Sequence, residues 1–277
     1  MHEVLVKYLA GLIDSDGAIC FNFNAPNADR TAFKLYLTIA ISASEAVDFH
    51  RFIATLPDQT GFGRVDTTLG YNKSSHPMNR WTVMKRAHLE MLIPRLVKHA
   101  FVKGGHLQRL FEIWREKRGQ SLSIEECEAL KEFSKASRLE SGPLKPKNFP
   151  SYAWLAGYLD GNGSFRVGRK RNGSYKGEPR YSNQASVHAS CHEGDGTVLE
   201  FIHKAHGGYI RQHSSNAKCM IWERNIGPKD RSFALDFLPR LVQHSRLKKH
   251  KIEQLLASHR DHLQRLSGQT PAGEATV

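Results

Sequence analysis

Cysteine is scarce in this 277-residue chain. The four present (Cys20, Cys127, Cys191 and Cys219) are scattered and form no Cys-x-x-Cys pair, which argues against a disulfide framework and for a reducing compartment. No apolar run approaches the roughly 20 residues of a membrane-spanning helix. The first residues also lack the charged-then-apolar pattern of a signal segment. These absences lead us to expect a soluble intracellular protein, in a bacterial cytoplasm or an organelle, with no membrane partner. Acidic side chains are also in deficit: 27 Asp and Glu face 40 Lys and Arg, a net charge of +13. An excess of this size favours a polyanionic partner, of which nucleic acid is the commonest. Residues 1–118 carry 16 basic and 11 acidic side chains, residues 119–148 five of each, and residues 149–265 carry 19 and 10. The basic excess is thus shared by two segments separated by a neutral one. With 40% hydrophobic residues the chain can bury an ordinary core.

The sequence is duplicated. LAGLIDSDG at residues 9–17 recurs as LAGYLDGNG at residues 155–163, an offset of 146. A second pair lies 145 apart: IPRLVKHAFVKGGHLQRL (93–110) and LPRLVQHSRLKKHKIEQL (238–255). Two regions repeated in the same order at nearly one offset mean two copies of one domain. Within each copy the pattern reads helix, strands, helix. Residues 3–16 are apolar nearly all round, as in a buried helix. Ile19, Phe21 and Phe23 then alternate with Cys20, Asn22 and Asn24, and Leu35, Leu37 and Ile39 alternate with Lys34, Tyr36 and Thr38. In the second copy Val187 and Ala189 alternate with Ser186 and His188. Period two with one polar face is the pattern of an antiparallel sheet covered on one side. Between the copies, an acidic helix-like stretch (124–133) precedes SGPLKPKNFP, which reads as an exposed linker.

Ala10-Gly11 and Ala156-Gly157 sit mid-helix, where glycine costs about 1 kcal/mol relative to alanine. Small residues at both positions predict that the two helices approach closely. Asp14 and Asp16 fall at the C-terminal end of the first helix, where the helix dipole is negative and the last carbonyls lack partners. Oxygen ligands of this kind suit a hard divalent cation. Two such ends side by side would suit metal-assisted phosphodiester hydrolysis.

The paired motifs resemble the helix signature of the LAGLIDADG homing endonucleases, in their monomeric, two-motif, pseudo-symmetric form, over roughly residues 1–265. The resemblance implies an α+β fold of two tandem αββαββα domains (1–118 and 149–265) whose antiparallel sheets form a DNA-binding saddle. Residues 119–148 would be the linker and 266–277 a disordered tail. It also implies hydrolysis of double-stranded DNA at a long non-palindromic target with Mg²⁺, for which Ca²⁺ or Mn²⁺ can substitute. By that resemblance the metal positions are Asp16 with the carbonyl of Ser15, and Asn162 with that of Gly161. Asp14 and Asp160 are then structural. Asn162 departs from the pattern, because an amide oxygen can ligate a cation but carries no charge and cannot act as a carboxylate base. A nicking or inactive form is therefore expected. Lys103 and Lys248 match the family's basic residue near the scissile phosphates, there to stabilise developing charge or hold the nucleophilic water.

A sheet saddle would turn its polar alternation to the major groove. Candidate DNA contacts in the first half are Asn22, Asn24, Lys34, Tyr36, Thr38, Arg64 and Arg80. In the second half they are Arg166, Arg169, Lys170, Arg171, Lys176, Arg180, Gln184, Ser186, His188 and Arg211, with a hairpin tip expected within the basic run. His188, Cys191, His192, His203, His206, His213 and Cys219 are spaced unlike a zinc site, and we read them as core and DNA-facing residues. Two other functions share the resemblance: a maturase that binds intron RNA, and a catalytically silent DNA-binding protein.

Overall fold

Two helices with no polar face set the architecture. In the computed structural model, which describes residues 1–25, 32–43, 47–69, 77–140, 150–175, 178–192, 195–227 and 230–266, they are α1 (Glu3–Asp16) and α6 (Tyr152–Asn162). The α1 helix starts at His2, whose ring nitrogen accepts from the Val4 amide at 3.3 Å; α6 starts at Ser151, whose hydroxyl accepts from Trp154 at 3.3 Å. Every residue of α6 from 153 to 160 is buried. A helix buried all round needs a partner on both sides, and each of these has its own sheet on one side and the other helix opposite. A Cβ on Gly11 would lie 1.9 Å from the Trp154 carbonyl oxygen, and one on Gly157 would lie 2.0 Å from that of Tyr8. The helices therefore touch backbone to backbone, as their small residues predict.

Each half follows with the same elements. The first contains β1 (Ala18–Asn24), β2 (Lys34–Ala43), α2 (Val47–Thr60), β3 (Arg64–Leu69), β4 (Pro77–Val83), α3 (Arg86–Val97) and α4 (Gly104–Lys117). The second contains β5 (Gly163–Tyr175), β6 (Glu178–His192), α7 (Thr197–His206), β7 (Tyr209–His213), β8 (Asn216–Ile226), α8 (Arg231–His244) and α9 (Lys249–Leu266). The antiparallel sheets run β1-β2-β4-β3 and β5-β6-β8-β7. This is the expected αββαββα order twice, with one further helix closing each half. The second sequence repeat proves to be the corner between those last two helices. Lys103 and Lys248 each stand just before the closing helix rather than inside it.

Alternation along the strands separates the two faces of each sheet. Leu35, Leu37, Ile39 and Ile41 are buried towards the helices, as are Val187, Ala189 and Trp222 in the second half. The opposite face carries the polar residues in register: Asn22 beside Tyr36, Asn24 beside Lys34 and Ser42 beside Arg80 in the first sheet, with Arg166 beside Ser186 and Ser164 beside His188 in the second. The connecting region is more ordered than a plain linker. Its helix α5 (Ile124–Glu140) extends beyond the stretch read from sequence, and Leu122 exchanges two backbone hydrogen bonds with Phe33 at 2.9 Å. Lys131 lies 5.5 Å over the Phe23 ring, tying α5 to the first half. Residues 141–149 and the tail 267–277 lie outside the described residues. No described helix is long and apolar enough to cross a membrane.

Because the atoms opposing a Cβ at Gly157 are backbone, Gly157→Ala should cost about 2–3 kcal/mol in urea unfolding. Gly168→Ala, where a Cβ meets nothing within 4 Å, should change stability by less than about 0.5 kcal/mol. Equal costs for the two substitutions would contradict backbone contact between α1 and α6.

Candidate metal centre and nucleic-acid interface

Asp14 and Asp160 stand near the C-terminal ends of their own helices, yet each faces the N-terminal end of another. Asp14 accepts from the backbone amides of Phe101 at 2.6 Å and Lys103 at 2.7 Å, just ahead of α4. Asp160 accepts from the amides of Arg246, Leu247 and Lys248 at 2.8, 3.1 and 3.2 Å, ahead of α9, and from the Ser245 hydroxyl at 2.6 Å. Free amides at a helix start favour a carboxylate, which offsets the unfavourable end of the aspartate's own helix. The remaining bonds cross between the halves. Trp154 donates its indole N–H to Asp14 at 2.8 Å, and Tyr8 donates its hydroxyl to Asp160 at 2.8 Å. Burial raises the pKa of Asp14, opposed by the Lys103 and Phe101 amides and the Trp154 indole. Both oxygens of each carboxylate are thus engaged in joining helices, the structural role expected of these two aspartates.

Asp16 is placed differently. Its carboxylate is solvent-accessible, and among the described residues nothing donates a hydrogen bond to it. A Cβ on Gly161 would lie 2.9 Å from Asp16 Oδ2 and 2.0 Å from Ser15 Oγ, so the two helix ends meet where the sequence predicts. The surrounding protein raises the Asp16 pKa, while the charges of Lys103 and Lys248, one from each half, oppose that rise. Its opposite number, Asn162, is engaged with its own surroundings. The main-chain oxygen of Asn162 accepts from the Ser190 hydroxyl at 3.2 Å, and its amide hydrogen-bonds the Tyr158 hydroxyl, which donates to the Ser190 carbonyl at 3.0 Å. One free carboxylate, one amide and the Ser15 and Gly161 carbonyls make an oxygen-only donor set that fits Mg²⁺. The set is charged on one side only.

The paired lysines occupy the same helix ends. Lys103 Nζ donates to the carbonyls of Ile13, Ser15 and Gly17 at 2.9, 3.2 and 2.8 Å. Lys248 Nζ donates to those of Leu159, Gly161 and Gly163 at 2.9, 3.1 and 2.6 Å. All three protons of each ammonium are thereby committed to carbonyls at the end of a motif helix and in the turn that follows it, of which Ile13 and Leu159 also accept from the Gly17 and Gly163 amides. Burial lowers both pKa values to about 8 against the pull of nearby aspartates, Asp14 first for Lys103 and Asp160 first for Lys248. In this arrangement the lysines fix the shape of the turn that carries Asp16 and Asn162.

On the uncovered faces, Asn22, Asn24, Lys34 and Arg64 are exposed, and Tyr36 and Arg80 are half-buried. Thr38 is buried and accepts from the Asn22 amide at 2.5 Å, while Arg80 Nε is buried without a partner among the described residues. In the second sheet Arg166 and Arg211 are exposed, and Ser186 is buried and bonds the His188 ring at 2.9 Å. Arg169, Lys170, Arg171, Arg180 and Gln184 lie on β5 and β6, which pair as the expected hairpin up to Tyr175 and Glu178; Lys176 lies outside the described residues. A cavity of about 300 Å³ runs from Gly161 and Asn162 onto the second sheet, past Ser164, Arg166, His188 and His213. No group of three or more His, Cys, Asp or Glu converges among the described residues.

Sequence alone did not reveal the roles of Tyr8, Trp154 and Glu223. Tyr8 and Trp154 sit 146 residues apart, one position before each motif, and both are aromatic donors. Their matched offset was the available signal. Asp14→Asn would turn an amide towards three donors and should cost about 2–3 kcal/mol, whereas Tyr8→Phe, which removes one donor of several to Asp160, should cost about 1 kcal/mol. Urea titrations check both, and an Asp14→Asn loss below about 0.5 kcal/mol would contradict the crossed arrangement.

No protein-family model and no curated protein matches the sequence. Solved structures do match the fold. I-SmaMI, a LAGLIDADG homing endonuclease bound to cleaved DNA, is 17% identical with a TM-score of 0.67, covering 97% of this chain and 92% of its own. I-GzeII, in complex with its DNA target, is 15% identical with a TM-score of 0.67, covering 96% and 93%. I-AabMI, a meganuclease bound to uncleaved DNA, is 15% identical with a TM-score of 0.64, covering 98% and 95%. The chain has the two-domain fold of the LAGLIDADG homing endonucleases, with their helix motif standing twice at its centre.

Proposed function

We propose that this protein is a divalent-metal-dependent endonuclease of the homing type that binds a long, non-palindromic duplex and cuts its two strands at very unequal rates. The observation that carries this reading is the unengaged Asp16 carboxylate, set against Asn162 at the junction of two polar sheet faces. Asp16, with the Ser15 and Gly161 carbonyls, would hold Mg²⁺, which would supply Lewis-acid polarisation of the scissile phosphate. Lys103 and Lys248 keep the carbonyl geometry of both turns fixed. Asp14 and Asp160 hold the two turns together across the pseudo-twofold. The polar faces and the +13 charge supply the duplex contacts, and differing side chains in the two halves imply an asymmetric target.

Unequal cutting follows from Asn162. Its amide lacks the charge that would neutralise a phosphate-bound cation and cannot accept the proton of a nucleophilic water. A target is first recovered by selecting a randomised duplex pool in Ca²⁺. Cleavage in Mg²⁺ of that duplex, labelled on each strand separately, should then be confined largely to one strand. Asn162→Asp should raise cutting of the slower strand at least tenfold, and Asp16→Asn should reduce all cutting by about 100-fold or more. Equal strand rates that Asn162→Asp leaves unchanged would refute the reading. Selective binding of duplex with no cleavage even in Asn162→Asp would make the protein a silent DNA binder. Selective binding of intron RNA instead would make it a maturase.

A further inference from the structure

The second sheet carries an acidic residue where a nucleic-acid face should repel one. Glu223 lies on the polar face of β8, in register with His188 on β6 and Tyr209 on β7, and is only 8% exposed. An unpaired carboxylate there would oppose a phosphate backbone, so its partners decide what it does. Arg211 donates to the same carboxylate oxygen through Nε at 3.2 Å and Nη2 at 3.0 Å. The Tyr209 hydroxyl also hydrogen-bonds Glu223, and His188 Nε2 lies 3.6 Å from its other oxygen. Burial alone would raise the Glu223 pKa, but the Tyr209 and Arg211 hydrogen bonds and the charges of His188 and Arg211 outweigh it and hold the value below the ordinary one. The carboxylate is therefore held ionised and engaged by neighbouring groups on its own sheet.

The consequence falls on Arg211, whose side chain is 41% exposed. A guanidinium is planar and carries five N–H groups in a fixed fork. Glu223 takes the edge formed by Nε and Nη2, and the Gln212 carbonyl lies 3.4 Å from Nη1. The end of the fork, one N–H on Nη1 and one on Nη2, stays unclaimed among the described residues. Two parallel donors at that spacing match O6 and N7 of guanine in the major groove. A free arginine would lose several rotamers on binding, whereas this one is already held. Arg64 in the first sheet provides the contrast. It meets Asp66 only through Nε at 3.1 Å, with the side chains 72% and 44% exposed, so that pair is solvent-screened and weakly held.

We infer that Glu223 is a positioning residue that locks Arg211 end-on for one guanine, making the pair a specificity determinant of the second domain. This rests on the proposed DNA-binding function. The register also fixes the approximate position of that guanine. Asn162 leads into β5, Ser190 beside it on β6 is opposite Ile221 on β8, and Ile221 is opposite Arg211 on β7, so Arg211 sits three strand spacings or about 14 Å across the sheet from the Asn162 turn. At about 3.4 Å per base pair the guanine should fall within roughly five base pairs of the cut.

The test is selection of a randomised duplex pool in Ca²⁺ by the full-length wild type, Glu223→Gln, Arg211→Lys and Arg211→Ala, each first confirmed folded by its thermal transition. The wild type should enrich a guanine at one position near the cut, at least about tenfold over other bases. All three variants should lose that preference at the same position, and Arg211→Lys, which keeps the charge, should bind the selected duplex no more than about tenfold more weakly than the wild type. Replacing that guanine by 7-deazaguanine, which removes N7, should weaken wild-type binding about tenfold and leave Arg211→Lys unaffected. Should Glu223→Gln fail to fold, Arg211→Lys with the 7-deaza duplex decides the same question. A guanine preference that survives within twofold in the variants, or variants that change no shared position, would overturn the inference while leaving DNA binding intact. A wild type that enriches no sequence would overturn both.

Discussion

The contact between α1 and α6 is the constraint on which the other features depend. Two glycines let the backbones of these helices meet, and no larger side chain fits at either position without displacing main-chain atoms. Close approach brings Tyr8 within reach of Asp160 and Trp154 within reach of Asp14. Each aspartate then gathers the amides just ahead of a helix in its own half. A single buried carboxylate thereby joins its own motif helix, the closing helix of its domain and the motif helix of the other domain. Such groups are costly to bury unless they are hydrogen-bonded, and here both oxygens of each carboxylate are. The same turns carry Lys103 and Lys248, whose ammonium groups bind the last carbonyls of both motif helices.

That shared construction makes the difference in charge at the tip more consequential. The turns are matched in their structural aspartates, their lysine caps and the glycines that end them, and they differ at Ser15 against Gly161 and, in charge, at Asp16 against Asn162. Asp16 is left without a donor among the described residues, while Asn162 is drawn into hydrogen bonds with Tyr158 and Ser190. Two positions on one scaffold thus differ in charge and in availability. The second sheet adds an asymmetry of its own, since the Arg211–Glu223 pair is more buried and more tightly bonded than Arg64–Asp66. Both differences favour a protein that treats the two halves of a target unequally.

Much of this was legible in the sequence because duplication turns weak signals into paired ones. Gly11 and Gly157, Asp14 and Asp160, and Lys103 and Lys248 each gained meaning from a counterpart at the same offset. Period-two alternation marked the buried and polar sides of β1, β2 and β6. What the sequence hid depends on tertiary approach. The lysines read as members of a helix, but they sit at a corner where burial and three carbonyls await each one. The Tyr8 and Trp154 bonds cross between domains, so no local pattern reveals them. Glu223 was invisible for a similar reason: its partners come from two other strands, and on β8 alone it reads as an ordinary surface charge. The helix α5 was recognised only in part, because its apolar positions pack against β1 through a few residues and its outer face is charged.

The cation positions proposed at the apposed helix ends, one charged and one uncharged, should be distinguishable by anomalous diffraction from a DNA complex soaked in Mn²⁺. A strong manganese peak is expected within coordination distance of the Asp16 carboxylate, about 2.1 Å, with a clearly weaker peak or none beside Asn162. Two peaks of equal strength, or a peak at Asn162 with none at Asp16, would contradict that asymmetry.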